Sequence, residues 1–301
     1  MSNFDFQNLR VRSLSADSLE VTWEIKDTVL DPYDFDWTIK RSESPEGPFD
    51  TLGGPFSDRY RFIDTRVNLQ HRWRFYYYRI RSAKKSDPEN VGYSKSTTQI
   101  AEPDLIAIEI QLLEQTVLRE HIGRMCWLFP KRTFGQYCPH CMDIGKSGTY
   151  RKIRSNCPTC FDSQYVRGYL DPVQIWVQFD PSPKADQQIQ TGSTQQVNTS
   201  ARLGAYPMLK PDDVLVEHEN RRWRVVRVAT TERLRAPVHQ EITLHEISKS
   251  DVEFALPVNV DDLTALEPSA ERNFSRPQNL EAATNEEDIL AVLTAYGYRN
   301  G

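Results

Sequence analysis

The chain has 301 residues, a formal net charge of −5 at pH 7, 39% hydrophobic residues and low mean hydropathy. That length allows two or three domains with at least one sizeable core, and the weak negative charge gives no global sign of a nucleic-acid or membrane binder. There is no eighteen-residue apolar run to cross a bilayer, and the start, Met1 to Phe6, lacks the basic and apolar regions of a secretory signal, so the cysteines are expected in a reducing cytosol.

In the N-terminal third, Leu19, Val21, Trp23 and Ile25 are apolar at period two, as are Tyr33, Phe35, Trp37 and Ile39, and Tyr76, Tyr78 and Ile80. Each set predicts a half-buried strand. Leu9, Val11 and Leu14 predict a strand before them, and Val91 to Ile100 one after. Gly47-Pro48 and Gly53-Gly54-Pro55 supply turns. Short strands with regular turns over this length indicate a β-sandwich. The residues resemble a fibronectin type III domain: Trp23 lies at that family's core tryptophan, Ser44 to Phe49 is similar to the turn after its third strand, and Tyr76 to Ser82 resembles its sixth strand. Such modules are adhesive or decorative, so the resemblance implies a fold and not an activity.

Pro103 and Asp104 open a helical segment. Ile106, Ile110, Leu113 and Val117 recur at spacings of four, three and four, widened by Leu105, Ile108 and Leu112. This stripe is expected to face the core, either in this chain or against a neighbouring subunit. Arg124 to Arg132 turns from apolar to basic and predicts a strand leading into a cysteine cluster.

That cluster reads Cys138-Pro-His-Cys141, then fifteen residues, then Cys157-Pro-Thr-Cys160. Two thiolates two residues apart bind one ion from a single turn, and two such turns complete a tetrahedron. Two disulfides or a redox-active Cys-x-x-Cys are the alternatives, and a redox site would need a helix start after a strand. His140 is a less favoured ligand, since its knuckle already holds two thiolates. With four protein ligands the expected Zn2+, one per chain, is structural and not catalytic. Cys126, between Met125 and Trp127, is expected to be a buried small hydrophobe. Lys131, Arg132, Lys146, Arg151, Lys152, Arg154 and Arg167 outnumber Asp143 and Asp162 around the cluster. They would suit nucleic acid, a solvated surface or a salt-bridged interface.

Val173, Ile175, Val177 and Phe179 alternate as a further strand. A polar stretch from Pro181 to Ser200 follows, and strands resume near Val214 to Glu217, Trp223 to Val228 and Val238 to Ile247. The stretches Pro211 to Val216, Arg222 to Val225 and Gln240 to Leu244 resemble tailed-bacteriophage head-to-tail connector proteins of the stopper or head-completion kind. In that family a small β-barrel forms a ring below the portal and a long loop reaches the channel; Pro181 to Ser200 matches such a loop in position. The zinc segment, with Phe134-Gly135 before the first knuckle and Gly168-Tyr169 after the second, is similar to inserts in uncharacterised phage proteins. Thr284-Asn285-Glu286-Glu287 is a capping box opening a short amphipathic helix with Ile289, Leu290, Val292, Leu293 and Tyr296.

The expected architecture is therefore mainly β. A fibronectin type III-like sandwich spans 4–100, a helix and connecting strand 101–133, a four-cysteine zinc segment 134–168, a small connector-like β-barrel 169–258, and a linker with a C-terminal helix arm 259–301. No Gly-rich phosphate loop, Gly-x-Ser-x-Gly or His-Glu-x-x-His is present. His218, His239 and His245 sit among polar residues on strands, where surface or pairing roles are expected. The resemblance implies a non-enzymatic virion protein, assembled in the host cytoplasm as a neck ring. Its partners would be copies of itself, a portal or adaptor and a tail terminator. Packaged DNA would pass through the channel, and neither a membrane nor a small-molecule substrate is implied. Another tail or baseplate component, or a zinc-ribbon nucleic-acid-binding protein, are the other readings.

Overall fold

Alternating side chains place one face of each N-terminal strand in a shared core. The structure, a computed structural model, describes residues 4–15, 18–28, 30–67, 75–98, 104–144, 150–180, 198–217, 220–234 and 236–258. Strands β1 (Phe6–Ser15), β2 (Ser18–Ile25), β3 (Phe35–Ser42), β4 (Asp50–Phe56), β5 (Arg61–Asp64), β6 (Tyr77–Lys84), β7 (Asp87–Tyr93) and β8 (Thr97–Thr98) make two antiparallel sheets. One has the order β1-β2-β5, the other β4-β3-β6-β7, with β8 also pairing β6. This is the expected two-sheet β-sandwich. Leu19, Val21, Trp23 and Ile25 are buried, facing Phe35, Trp37, Ile39, Tyr78 and Ile80. Trp37 is the centre of an aromatic cluster, with Phe4, Phe6, Trp23 and Tyr60 rings at 4.8–6.3 Å, the edge-to-face spacing that aromatic quadrupoles favour. Tyr33 departs from its expected strand position: it lies in a short 3-10 turn, Pro32–Asp34, with its ring exposed. Asp31 caps that turn by accepting from the Tyr33 N–H, which ends the alternation before β3 begins.

Helix α1 (Leu105–Val117) starts on the Asp104 cap, whose carboxylate accepts from the Ile106 N–H at 3.1 Å. A single π-turn, Leu118–Ile122, extends it, and Gly123 ends it. A side chain at Gly123 would meet the Leu118 carbonyl at 2.3 Å, so the chain can leave the helix here only through glycine.

The following strands are β9 (Arg124–Phe129), β10 (Met142–Ile144), β11 (Tyr150–Lys152), β12 (Val173–Phe179), β13 (Asn198–Gly204), β14 (Val214–Val216), β15 (Arg222–Arg233) and β16 (Ala236–Glu246). Six of them close an antiparallel barrel in the order β12-β13-β16-β15-β14-β9. The barrel is thus not confined to 169–258. The connecting strand assigned to 101–133 is the stave that shuts it, pairing with β12 on one side and β14 on the other. Closure removes the free edge that a five-stranded sheet would expose. The barrel core holds Cys126, Leu128, Ile175, Val177, Leu203, Leu215, Trp223, Val225, Ile242 and Leu244.

The face that α1 buries is not the expected one. Ala107, Ile108, Gln111 and Leu118 are buried, and the helix packs chiefly on β16 and β13. Gln111 donates to the Pro237 carbonyl, and Glu114 pairs with Arg202. Ile106, Leu113 and Val117 of the expected stripe face outward. At 3.6 residues per turn the two faces lie about a third of a turn apart. Barrel geometry chose between them by offering polar partners to Gln111 and Glu114. Residues 181–197 of the polar stretch and the C-terminal arm from 259 onward lie outside the described residues; 198–200, expected in the loop, begin β13.

Candidate metal centre

The insert leaves the barrel after β9 and returns before β12, between two adjacent staves. Its ends are tied together: the Arg132 N–H donates to the Gly168 carbonyl at 2.9 Å, and the Leu170 N–H to the Pro130 carbonyl at 2.9 Å. Between these ties stand Cys138, Cys141, Cys157 and Cys160, all 0% exposed. Their sulfurs all lie within 4.8 Å of one another. Cys138 and Cys157 are 4.0 Å apart and Cys141 and Cys160 3.4 Å. A disulfide needs about 2.05 Å, and none of the five cysteines is so bonded. Four thiolates about 2.3 Å from one ion would stand about 3.8 Å apart. The four cysteines therefore fit one tetrahedral metal ion. His140 is exposed on the outer side of its turn, so the four-cysteine set stands without it.

Local backbone bonds shape both turns. The Met142 N–H donates to the Cys138 carbonyl and the Ser163 N–H to the Cys160 carbonyl, both at 3.0 Å, while Ile153 donates to the Cys141 carbonyl at 2.9 Å and brings the β10–β11 hairpin alongside. Burial pushes the Cys160 thiol up to about 11. For Cys157 burial acts the same way but is outweighed by the N–H groups of Cys160 and Thr159, which bring it down to about 7. Donors aimed at that sulfur favour the thiolate a metal requires. Around the second knuckle Asn156, Phe161, Asp162, Gln164 and Arg167 all adopt positive φ, as does Gly168 at +70°. A Cβ on Gly168 would stand 2.5 Å from the Cys160 carbonyl oxygen. The glycine of the Gly168-Tyr169 pair is what lets the chain pass against the Cys160 backbone.

The insert also grips the sandwich. Arg132 (3% exposed) makes two hydrogen bonds to the Asp58 carboxylate (4% exposed), at 2.9 and 2.7 Å. Asp58 further accepts from the Tyr60 hydroxyl and from Arg167, both at 2.9 Å. Burial works against the Arg132 charge, but the Asp58 carboxylate outweighs it and leaves the pKa raised. Phe134 enters the sandwich core edge-on to Tyr60, with centroids 4.8 Å apart. The Asp27 carboxylate accepts from the hydroxyls of Tyr137 at 2.6 Å and Tyr165 at 3.3 Å, and from the Gly135 N–H at 3.2 Å. Spacing alone marked the cysteines. Asp27 and Asp58 carried no sequence signal, because their partners in the insert lie 74 to 138 residues away.

The basic residues around the cluster are mostly spent on this packing. Lys131 pairs with Asp212, Arg132 with Asp58, Lys152 with Asp162, and Arg167 with Asp58 and Asp31. Arg151 and Arg154 are exposed, and Lys146 lies outside the described residues. Cys126 is buried in the barrel core, its thiol raised first by burial. His239 and His245 are six residues apart on β16, about 20 Å along a strand, so they do not converge; His218 lies outside the described residues. No protein-family model matches the chain, and no curated protein matches it.

Proposed function

We propose that this chain is a virion structural protein of a tailed phage, a neck ring component joining the head portal to the tail and lining or closing the DNA channel. The observation that carries this reading is the closed six-stranded barrel, in which β12 and β13 are paired neighbours joined by a long connection. Asp180 and Ser200 are hydrogen-bonded neighbours at 2.8 Å at the end of β12 and the start of β13. The residues on either side of 181–197 are therefore paired as β12 and β13, the position the resemblance gives the channel loop of the connector family. The role is assembly by surface complementarity, with the sandwich as an outer module.

The metal is Zn2+, one per chain, held by Cys138, Cys141, Cys157 and Cys160. A closed thiolate set leaves no position for substrate or water, so its contribution is folding energy for a segment with few large apolar residues. It also stiffens the joint between barrel and sandwich. Ion pairing of the cluster's basic residues favours this role over the zinc-ribbon nucleic-acid reading, which needs unpaired cations gathered on one face.

Light scattering with negative-stain imaging tests the neck reading. Rings formed by the protein alone or on a portal support it, whereas a strict monomer that also ignores the portal would overturn it. A salt-dependent mobility shift on duplex DNA would favour the nucleic-acid reading instead. Elemental analysis should give about one zinc per chain, and Cys138→Ser with Cys157→Ser should lose it.

A further inference from the structure

The outward stripe of α1 has no assigned role. Ile106, Leu113 and Val117 are 52%, 61% and 40% exposed, and half-buried Ile110 lies between them. Spacings of four, three and four put these side chains on one line, the seam of a two-helix contact. We propose that residues 284–296 of the same chain dock antiparallel along this seam.

Three observations select this occupant. The first is pattern. Ile289, Leu293 and Tyr296 repeat at four and three, with Val292 beside them, behind the capping box at Thr284 to Glu287. The two stripes have the same period, over twelve residues in α1 and eight in the arm. The second is charge. Antiparallel pairing sets Glu286, Glu287 and Asp288 against the end of α1 that carries His121 and Arg119, the latter ion-paired with Glu120 at 3.4 Å, where cations also suit the helix dipole. Parallel pairing would set the same carboxylates beside Asp104 and Glu109.

The third is reach. Gln111 of α1 meets the Pro237 carbonyl at the start of β16. At the far end of that strand Ile247 shares a cluster with Leu256 and Val258, the last described residue. The run of β16 between them is about 30–35 Å at ~3.4 Å per residue. Residues 259–283 span about 30 Å on average as a coil, so the seam is within easy range. A tether also supplies an effective concentration of order millimolar, enough for a contact of a few aliphatic side chains. A second copy would lack that help, since a stable interface needs about 1,200 Å² or more. Two α1 seams paired antiparallel would also face Glu109 with Glu114.

Hydrogen exchange by mass spectrometry on the full chain tests this. Amides within 284–296 should exchange at least ~10-fold slower than in an unfolded chain. Leu113→Asp should abolish that protection while the β16 amides keep theirs, and Ile106→Asp, at a second exposed site, should repeat the result. Protection should not change on tenfold dilution. Unprotected exchange of 284–296 in the parent chain, protection that survives both substitutions, or protection lost on dilution as for a second copy, would each overturn the proposal.

Discussion

Single residues decide whether the insert holds its shape. Asp58 is the sharpest case, because one buried carboxylate serves Arg132, Arg167 and Tyr60 together. Asp58→Ala leaves the Arg132 guanidinium buried without its counter-charge, and should cost about 3–5 kcal/mol, read as a fall in the urea midpoint. Gly168→Ala forces a Cβ against the Cys160 carbonyl at a positive φ. It should cost about 1–3 kcal/mol and weaken zinc retention in a chelator competition, whereas alanine at an ordinary exposed loop position would do neither. Asp213 behaves differently from most carboxylates. Burial raises its pKa from 3.8 to about 6, against the lowering effect of the N–H groups of Lys210 and Lys131 that it accepts. The folded chain therefore keeps this proton to a higher pH than the unfolded chain does. The contribution of Asp213 to stability is present below about pH 4 and is lost as pH rises toward 6, by about 3 kcal/mol in all. Urea midpoints of the parent and Asp213→Asn, compared from pH 4 to pH 7, should show the parent losing ground to the variant as pH rises.

At the scale of elements, the sequence pattern read best where one partner face dictates burial. The alternation at Leu19 to Ile25 and Phe35 to Ile39 marks the sandwich core because each strand has a single buried side. The same logic misread α1. Its apolar residues run more than halfway round the helix, so periodicity left two candidate faces and only the barrel's polar groups separated them. β9 was similarly ambiguous. A short apolar run before a cysteine motif reads as a connector until its partners on β12 and β14 are known. Gln240 could not have been foreseen at all. It is 0% exposed, accepts from the Leu209 N–H and donates to the carbonyls of Gly204, Ala205 and Pro207. A polar side chain in a strand is ordinarily an outward one, and this one closes a barrel end. Gln240→Leu should cost about 1–3 kcal/mol by leaving the Leu209 N–H buried without an acceptor, measurable as lost exchange protection there.

On the scale of the whole molecule, the cysteine insert is the joint between sandwich and barrel. Phe134, Arg132 and the Tyr137–Tyr165 pair tie its body to the sandwich, and Lys131 ties it to Asp212 and Asp213 beside β14 of the barrel. If zinc supplies the folding energy of 134–168, stripping the ion should release the sandwich without melting the barrel. Chelation should then speed exchange at 26–28 and 57–60 while β16 keeps its protection; equal slowing in both states would argue that the joint holds without metal.

The sequence by itself determined that the chain is mainly β, where its four clustered thiols lie and which residues fill the sandwich core. These depend on spacings of two or three residues, which local geometry reads directly. Only the tertiary structure decided which strand closes the barrel, which side of α1 is buried and that most basic residues around the cysteines are neutralised in ion pairs. Those outcomes rest on partners often more than seventy residues apart, whose meeting no local period encodes.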